Sequence, residues 1–245
     1  MVHKSTIYQL LRKAGIISLR KDAEMLVREG KISVDEKIIF RLDYQINPKK
    51  EKIAIDGKIL LSESEPPVAK KIFMLHKPIG YLTTKIKVHG RKNVMELLHE
   101  DTRLMNSLFP VGQLDYNTSG LLIITNDGSL AKRLLDPYKK VEKEYLVEIS
   151  GRLSDEAVKK IKKGMIIQLE EGTYKTLSAE IQIKERTTQK TIFTLTLHEG
   201  KKRQIRRMMQ TLGYLVVKLH RFRIGKLMLG DLSKGKYREV RKEEI

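Results

Sequence analysis

The chain has 245 residues, 40% hydrophobic and 32% charged, long enough for one large domain or for a small one beside a larger one. With 49 Lys+Arg against 30 Asp+Glu the net charge is +19, which points to a polyanion; nucleic acid precedes membrane, because no stretch nears the roughly 20 apolar residues needed to span a bilayer. Zero cysteines exclude disulfides, thiolate chemistry and Cys-based zinc sites, and the six scattered histidines show no pair at ligand spacing, so no metal is expected.

The opening MVHKSTIYQLLRKAG carries no apolar run and no small-residue cleavage site, so the expected location is cytoplasmic. Ile7, Leu10, Leu11 and Ala14 follow helical spacing, and Gly15 is placed to end that helix. Ser18 is placed to cap a second helix with Ala23, Leu26 and Val27 on its apolar face and Gly30 at its end. Ile32 and Val34 then alternate as in a half-buried strand. Arg12, Lys13, Arg20, Lys21 and Arg28 are left on the solvent side, either merely solvated or facing phosphates.

The segment Ser62-Glu63-Ser64-Glu65-Pro66-Pro67 is polar and ends in two prolines, which prevent helix and central strand alike. It divides the chain into a small domain (1–62), a linker (63–70) and a larger domain (71–245), both parts basic. In the larger part Ile72-Phe73-Met74-Leu75 and Leu121-Leu122-Ile123-Ile124 read as buried strands. Tyr145, Val147 and Ile149 alternate through EYLVEI, as do Phe193, Leu195 and Leu197 through IFTLTL. Ser154 caps SDEAVKKIKKG, with acids first, lysines last and Gly164 beyond. Strands and helices lack the strict alternation of a parallel sheet, so the expected class is α+β.

Two stretches carry candidate chemistry. GQLDYNTSGLLIITNDG sets Asp115 on a polar turn just ahead of a wholly apolar strand. It is either one more good turn residue or a reactive carboxylate with cations around it. In GKKRQIRRMMQTLG, a helix places Ile205, Met208, Met209 and Leu212 on one face and Arg203, Arg206, Arg207 and Gln210 on the other. That second face is either solvated or a phosphate-binding edge built from guanidiniums.

AGIISLRKDAEMLVREGKISVDEKI resembles the S4 RNA-binding module at Gly15, Ser18, Arg20, Ala23, Gly30, Ile32 and Val34, with Asp35-Glu36 where that family has Asn-Gly. GQLDYNTSGLLIITNDG resembles the catalytic loop of the RsuA-type pseudouridine synthases. His76-Lys77-Pro78-Ile79-Gly80, Lys143-Glu144-Tyr145-Leu146 and GKKRQIRRM resemble the same family in the same order, and HRFRIGKLMLGDLSKGKYREV its closing strands. The resemblance implies a mixed, largely antiparallel catalytic sheet and conversion of a uridine in ribosomal RNA to pseudouridine. It places large-subunit RNA ahead of small-subunit RNA. The isomerisation adds and removes nothing, so no cofactor is expected, and the expected protein is a monomer with no membrane partner. The resemblance implies Asp115 as catalytic carboxylate, Arg206 as its charge partner, and Tyr145 as the ring that stacks on uracil and moves a proton. RNA contacts fall to Arg12, Arg20, Lys21, Lys77, Gln113, Lys202, Arg203 and Arg207, where Gln113 replaces the family's usual arginine. A non-catalytic RNA-binding or ribosome-assembly protein on the same fold is the alternative.

Overall fold

The computed structural model describes residues 5–14, 16–17, 20–47, 50–61 and 68–245. The expected roles of Gly15 and Ser18 at helix ends, and most of the Pro-containing linker, lie outside those residues. The chain forms two compact units, one of Met1–Lys70 with His99–Phe109 and one of Lys71–Leu98 with Pro110–Ile245. Among the described residues no helix is long and apolar enough to cross a membrane.

The smaller unit opens with β1 (Ser5–Thr6) and α1 (Ile7–Lys13). A capping box starts α1: the Thr6 side chain accepts from the Gln9 amide, and the Gln9 side chain accepts from the Thr6 amide. α2 (Arg20–Arg28) follows, stopped where Gly30 turns left-handed at φ 64°. β2 (Ile32–Val34), β3 (Lys37–Ile38), β4 (Gln45–Ile46), β5 (Ile53–Ile55) and β6 (Lys58–Leu61) come next, and α3 (Thr102–Ser107) also belongs to this unit. The strands pair in the order β3-β2-β5-β6, with β1 on β4.

The β2–β3 turn keeps the left-handed geometry that a two-residue hairpin demands, with φ 45° at Asp35 and 69° at Glu36. The Asp35 carboxylate accepts from the Lys52 amide at 2.8 Å, which supports a conformation glycine would adopt more cheaply. Ile7, Leu11, Ala23, Ile32, Ile46 and Ile53 form the core, each about 1% exposed or less. Burial of each Ile or Leu side chain contributes about 1.5–3 kcal/mol.

The larger unit contains β7 (Ile72–Lys77), β9 (Ser119–Thr125), α4 (Gly128–Leu135), β10 (Lys143–Ser150) and α5 (Asp155–Lys163). β8 (Phe109–Val111) precedes β9 and pairs with it. β11 (Ile166–Leu169) and β12 (Gly172–Lys175) form a separate hairpin. β13 (Glu180–Arg186), β14 (Lys190–Leu197), α6 (Gln204–Thr211), β15 (Val216–Ile224), β16 (Leu227–Met228) and β17 (Tyr237–Glu239) complete it.

The main sheet runs β13-β14-β10-β15-β9-β7-β17, with β16 on β15. Only β15–β9 is parallel among its paired strands with a stated register. This is an α+β molecule with a mixed, mostly antiparallel sheet. The sequence pattern follows from position in it. β7 is buried along its whole length and β9 from its second residue, hence continuous apolar runs; β10 and the first part of β14 have one covered face, hence alternation.

Candidate active site

β9 and β15 approach unusually closely where Gly120 lies opposite Arg221. A Cβ on Gly120 would meet the Arg221 carbonyl oxygen at 2.1 Å, and its φ of 115° is itself a glycine conformation. This contact brings the loop ahead of β9, carrying Asp115, beside the first part of β15 and the start of α6.

The loop is pinned through its backbone. Thr83 Oγ1 donates to the Leu114 carbonyl at 2.8 Å and accepts from the Leu114 amide at 3.2 Å. The Gly80 amide donates to the Tyr116 carbonyl at 2.9 Å, and the Thr118 amide to the Asp115 carbonyl at 3.0 Å. From the end of β7, Lys77 Nζ donates to the carbonyls of Pro78 (3.1 Å), Asp115 (3.1 Å) and Thr118 (2.8 Å). Arg206 Nη2 donates to the Asn117 carbonyl at 2.8 Å and Nη1 to Val216 at 3.3 Å.

Lys77 is the correction to the expected RNA contacts. It is 0% exposed, so it reaches no phosphate and instead holds the loop from beneath. Burial pushes its pKa down to about 8, with Asp115 raising it and Arg221 lowering it further.

The Asp115 carboxylate is about one-quarter exposed and faces two guanidiniums, Arg206 Nε at 3.4 Å and Arg203 Nη1 at 3.6 Å. Both distances are those of ion pairs looser than a short charge-assisted hydrogen bond. Arg206 is mostly enclosed, and burial lowers its pKa while Asp115 opposes that shift. Arg203 is half exposed and occupies the N-cap position of α6 in a left-handed conformation (φ 55°) without a side-chain capping bond. α6 itself buries Ile205, Met208 and Met209.

The turn before α6 is braced by Glu199. Its carboxylate accepts from Tyr174 Oη (2.5 Å), the Leu177 amide (2.9 Å) and Gln204 Nε2 (2.6 Å), while Gln204 Oε1 accepts from the Lys201 amide at 3.0 Å. The hydrogen bond to Glu199 raises the Tyr174 pKa to about 12.

A small pocket of about 60 Å³ opens at Asp115. Gln113, Thr118, Tyr145, Lys201, Arg203 and Leu219 are among its walls. Tyr145 is 8% exposed, and the buried Arg221 guanidinium lies 6.0 Å from its ring centroid. Arg221 also donates from Nε to the Leu121 carbonyl at 2.9 Å. Sequence reading did not single out Arg221, Thr83, Glu199 or Leu219.

The structure therefore gathers Asp115, Tyr145, Gln113 and Arg203 around one pocket, with Arg206 set against the Asp115 carboxylate. Lys202 and Arg207 sit on the adjacent turn and helix, but both reach Glu170, at 2.7 and 3.7 Å, and Arg207 Nη1 also donates to the Gln168 carbonyl. Arg12, Arg20 and Lys21 belong to the smaller unit and are exposed, with Arg20 paired to Glu24 at 3.2 Å and set over the Tyr8 ring.

Comparison with known proteins agrees with this geometry. The sequence profile of the RNA pseudouridylate synthase family matches residues 71–211, the span that holds Asp115, Tyr145 and Arg206. An uncharacterized RNA pseudouridine synthase of Aquifex aeolicus is 38% identical over 98% of this chain and 91% of its own. Ribosomal large subunit pseudouridine synthase B of Bacillus subtilis is 35% identical over 98% of this chain and 93% of its own. A crystal structure of a pseudouridylate synthase, 25% identical, superposes over 98% of this chain and 97% of that one with a TM-score of 0.68. The chain belongs to the RNA pseudouridylate synthase family. It is an RNA pseudouridine synthase, an isomerase.

Proposed function

We propose that this enzyme converts a uridine of ribosomal RNA, large-subunit RNA first, to pseudouridine with Asp115 as the catalytic carboxylate. The observation that carries the reading is the Asp115 carboxylate at a pocket mouth, on a loop held by backbone bonds and facing Arg203 and Arg206. The name of the Bacillus subtilis relative supports large-subunit RNA.

The reaction breaks N1–C1′, turns the base and joins C5 to C1′; nothing is added or lost, so no cofactor is needed. Asp115 either attacks the substrate as nucleophile or removes a sugar proton on the way to a glycal. The two guanidiniums face the carboxylate and hold it in place. Extruding the base costs a few kcal/mol, which contacts to the flipped nucleotide offset. Tyr145 supplies a ring for the uracil and a hydroxyl able to move a proton. Arg206 holds Asp115 through its charge and the loop through the Asn117 carbonyl. Arg203, more exposed, is the cation placed to take a phosphate, and Gln113 offers neutral hydrogen bonds at the same wall.

Residues 1–62 act as an S4-like module with Arg12, Arg20 and Lys21 on RNA, joined through the linker at 63–70. Lys202 and Arg207 contribute once Glu170 is displaced. The protein works as a cytoplasmic monomer. A pseudouridine map of ribosomal RNA, comparing cells with wild-type protein and with Asp115→Asn, tests the assignment. One mark should vanish in the variant and return with wild type. An unchanged map removes both the substrate and the role given to Asp115.

A further inference from the structure

A second, wider cleft of about 460 Å³ lies against the Asp115 pocket, and the two share Gln113, Tyr145, Gly200 and Lys201. With the target uridine in the smaller pocket, this space is left for something else. Its wall includes Tyr138, which at 92% exposure is the most exposed large hydrophobic side chain among the described residues.

That ring is not on a loose loop. Pro137 begins a single turn of 3-10 helix, Asp136 Oδ1 accepts from the Tyr138 amide at 2.9 Å, and Lys140 closes the turn at φ 46°. An aromatic side chain normally buries 150–250 Å² on folding. Here a braced backbone presents one to solvent at the edge of a cleft, with apolar surface from Ile123, Leu135 and Ile224 alongside it.

The charges around the cleft select the occupant. Its two carboxylates are already used inside the protein: Asp136 caps the Tyr138 turn, and Glu199 binds Tyr174, Leu177 and Gln204. The cations Lys140 and Lys201 are exposed, and the buried Arg221 has an Nη2 without an acceptor among the described residues. An exposed aromatic face beside cations, with no free carboxylate, is the pattern that holds single-stranded nucleotides.

We propose that this cleft seats the unpaired nucleotide adjacent to the target uridine, its base stacked on Tyr138 and its phosphate held by Lys140 and Lys201. The proposal rests on the smaller pocket being the uridine site. A short single-stranded RNA alternating uridine with 2-aminopurine riboside reads the stack directly, because stacking quenches 2-aminopurine fluorescence.

Wild type and Tyr138→Phe should quench it equally, since the ring is kept. Tyr138→Ala should bind about tenfold more weakly and lose quenching. Unaltered quenching and affinity in Tyr138→Ala overturn the proposal, as does a wild type that does not bind this RNA. An effect of Tyr138→Ala confined to the protein's mass in solution also overturns it, assigning the ring to a contact between copies. Ring-dependent quenching with an unchanged ribosomal pseudouridine map sinks the uridine reading of the small pocket and spares the stack on Tyr138. An Asp115-dependent mark with ring-independent quenching does the reverse.

Discussion

Lys77 spends its charge on three carbonyls, two of them from the loop that carries Asp115. Lysine is rarely fully buried, so a sequence reading naturally puts one at a strand end on the surface. Replacing it with methionine fills similar volume but leaves the carbonyls without their donor, at about 1–3 kcal/mol for each that stays dry. Lys77→Met should therefore lower the melting temperature and slow single-turnover isomerisation by about tenfold or more through a loosened Asp115. Full activity in this variant would remove the positioning role. The pH dependence has a definite sign. Burial penalises the protonated form, so the folded pKa is about 8 against 10.5 unfolded. Between those values the unfolded chain binds more protons, and the stability of wild type relative to Lys77→Met should rise with pH. The expected gain is about 3 kcal/mol across that window, read from denaturant titrations at fixed pH. A difference that stays flat would mean that Lys77 is not desolvated as its geometry implies.

The elements were legible in the sequence where one strand or helix decides its own pattern. The runs Ile72–Leu75 and Leu121–Ile124, the alternation of EYLVEI and the capped helix at 155–163 all follow from local periodicity and capping. What was not legible comes from partners distant in the chain. Nothing near Gly120 announces that Arg221 will lie against it, because the parallel β9–β15 pairing joins segments about a hundred residues apart. Gly120→Ala should be among the most damaging small substitutions, costing about 4 kcal/mol or preventing folding. Ser119→Ala, one position away, loses only the contact with His220 at 2.9 Å and should cost about 1 kcal/mol, giving a folded control in the same titration. Glu199 is a second long-range tie, joining the end of β14 to Tyr174 and to the first residue of α6. Ultraviolet titration of tyrosinate checks it: one tyrosine of the wild type should ionise near 12, and Glu199→Gln should return it toward 10. No change in that titration would argue that the Tyr174–Glu199 bond does not form in solution.

Across the whole molecule the net charge of +19 overstates what RNA meets, because part of it is held internally by acids. Glu170 is the clearest case in the catalytic unit. Itself well exposed, it takes Lys202 at 2.7 Å and lies 3.7 Å from Arg207, and both cations lower its pKa. An exposed pair of this kind contributes little to folding, so its removal should leave stability nearly unchanged. It should, however, change how many cations are available to phosphates. Each phosphate neutralised releases counterions and steepens the fall of log K with log salt by about 0.9 for duplex and 0.7 for single strands. Glu170→Gln should therefore tighten binding to RNA at low salt and steepen that slope by about one to two such steps. Arg203→Ala should flatten the slope by about one step and also slow the reaction, because Arg203 faces Asp115 as well as solvent. Arg207→Ala should leave the slope nearly unchanged in wild type and flatten it in the Glu170→Gln background. That dependence of one charge on another separates an internally neutralised arginine from one that RNA already holds. Equal losses in the two backgrounds would mean that Glu170 yields its partners to RNA at no cost.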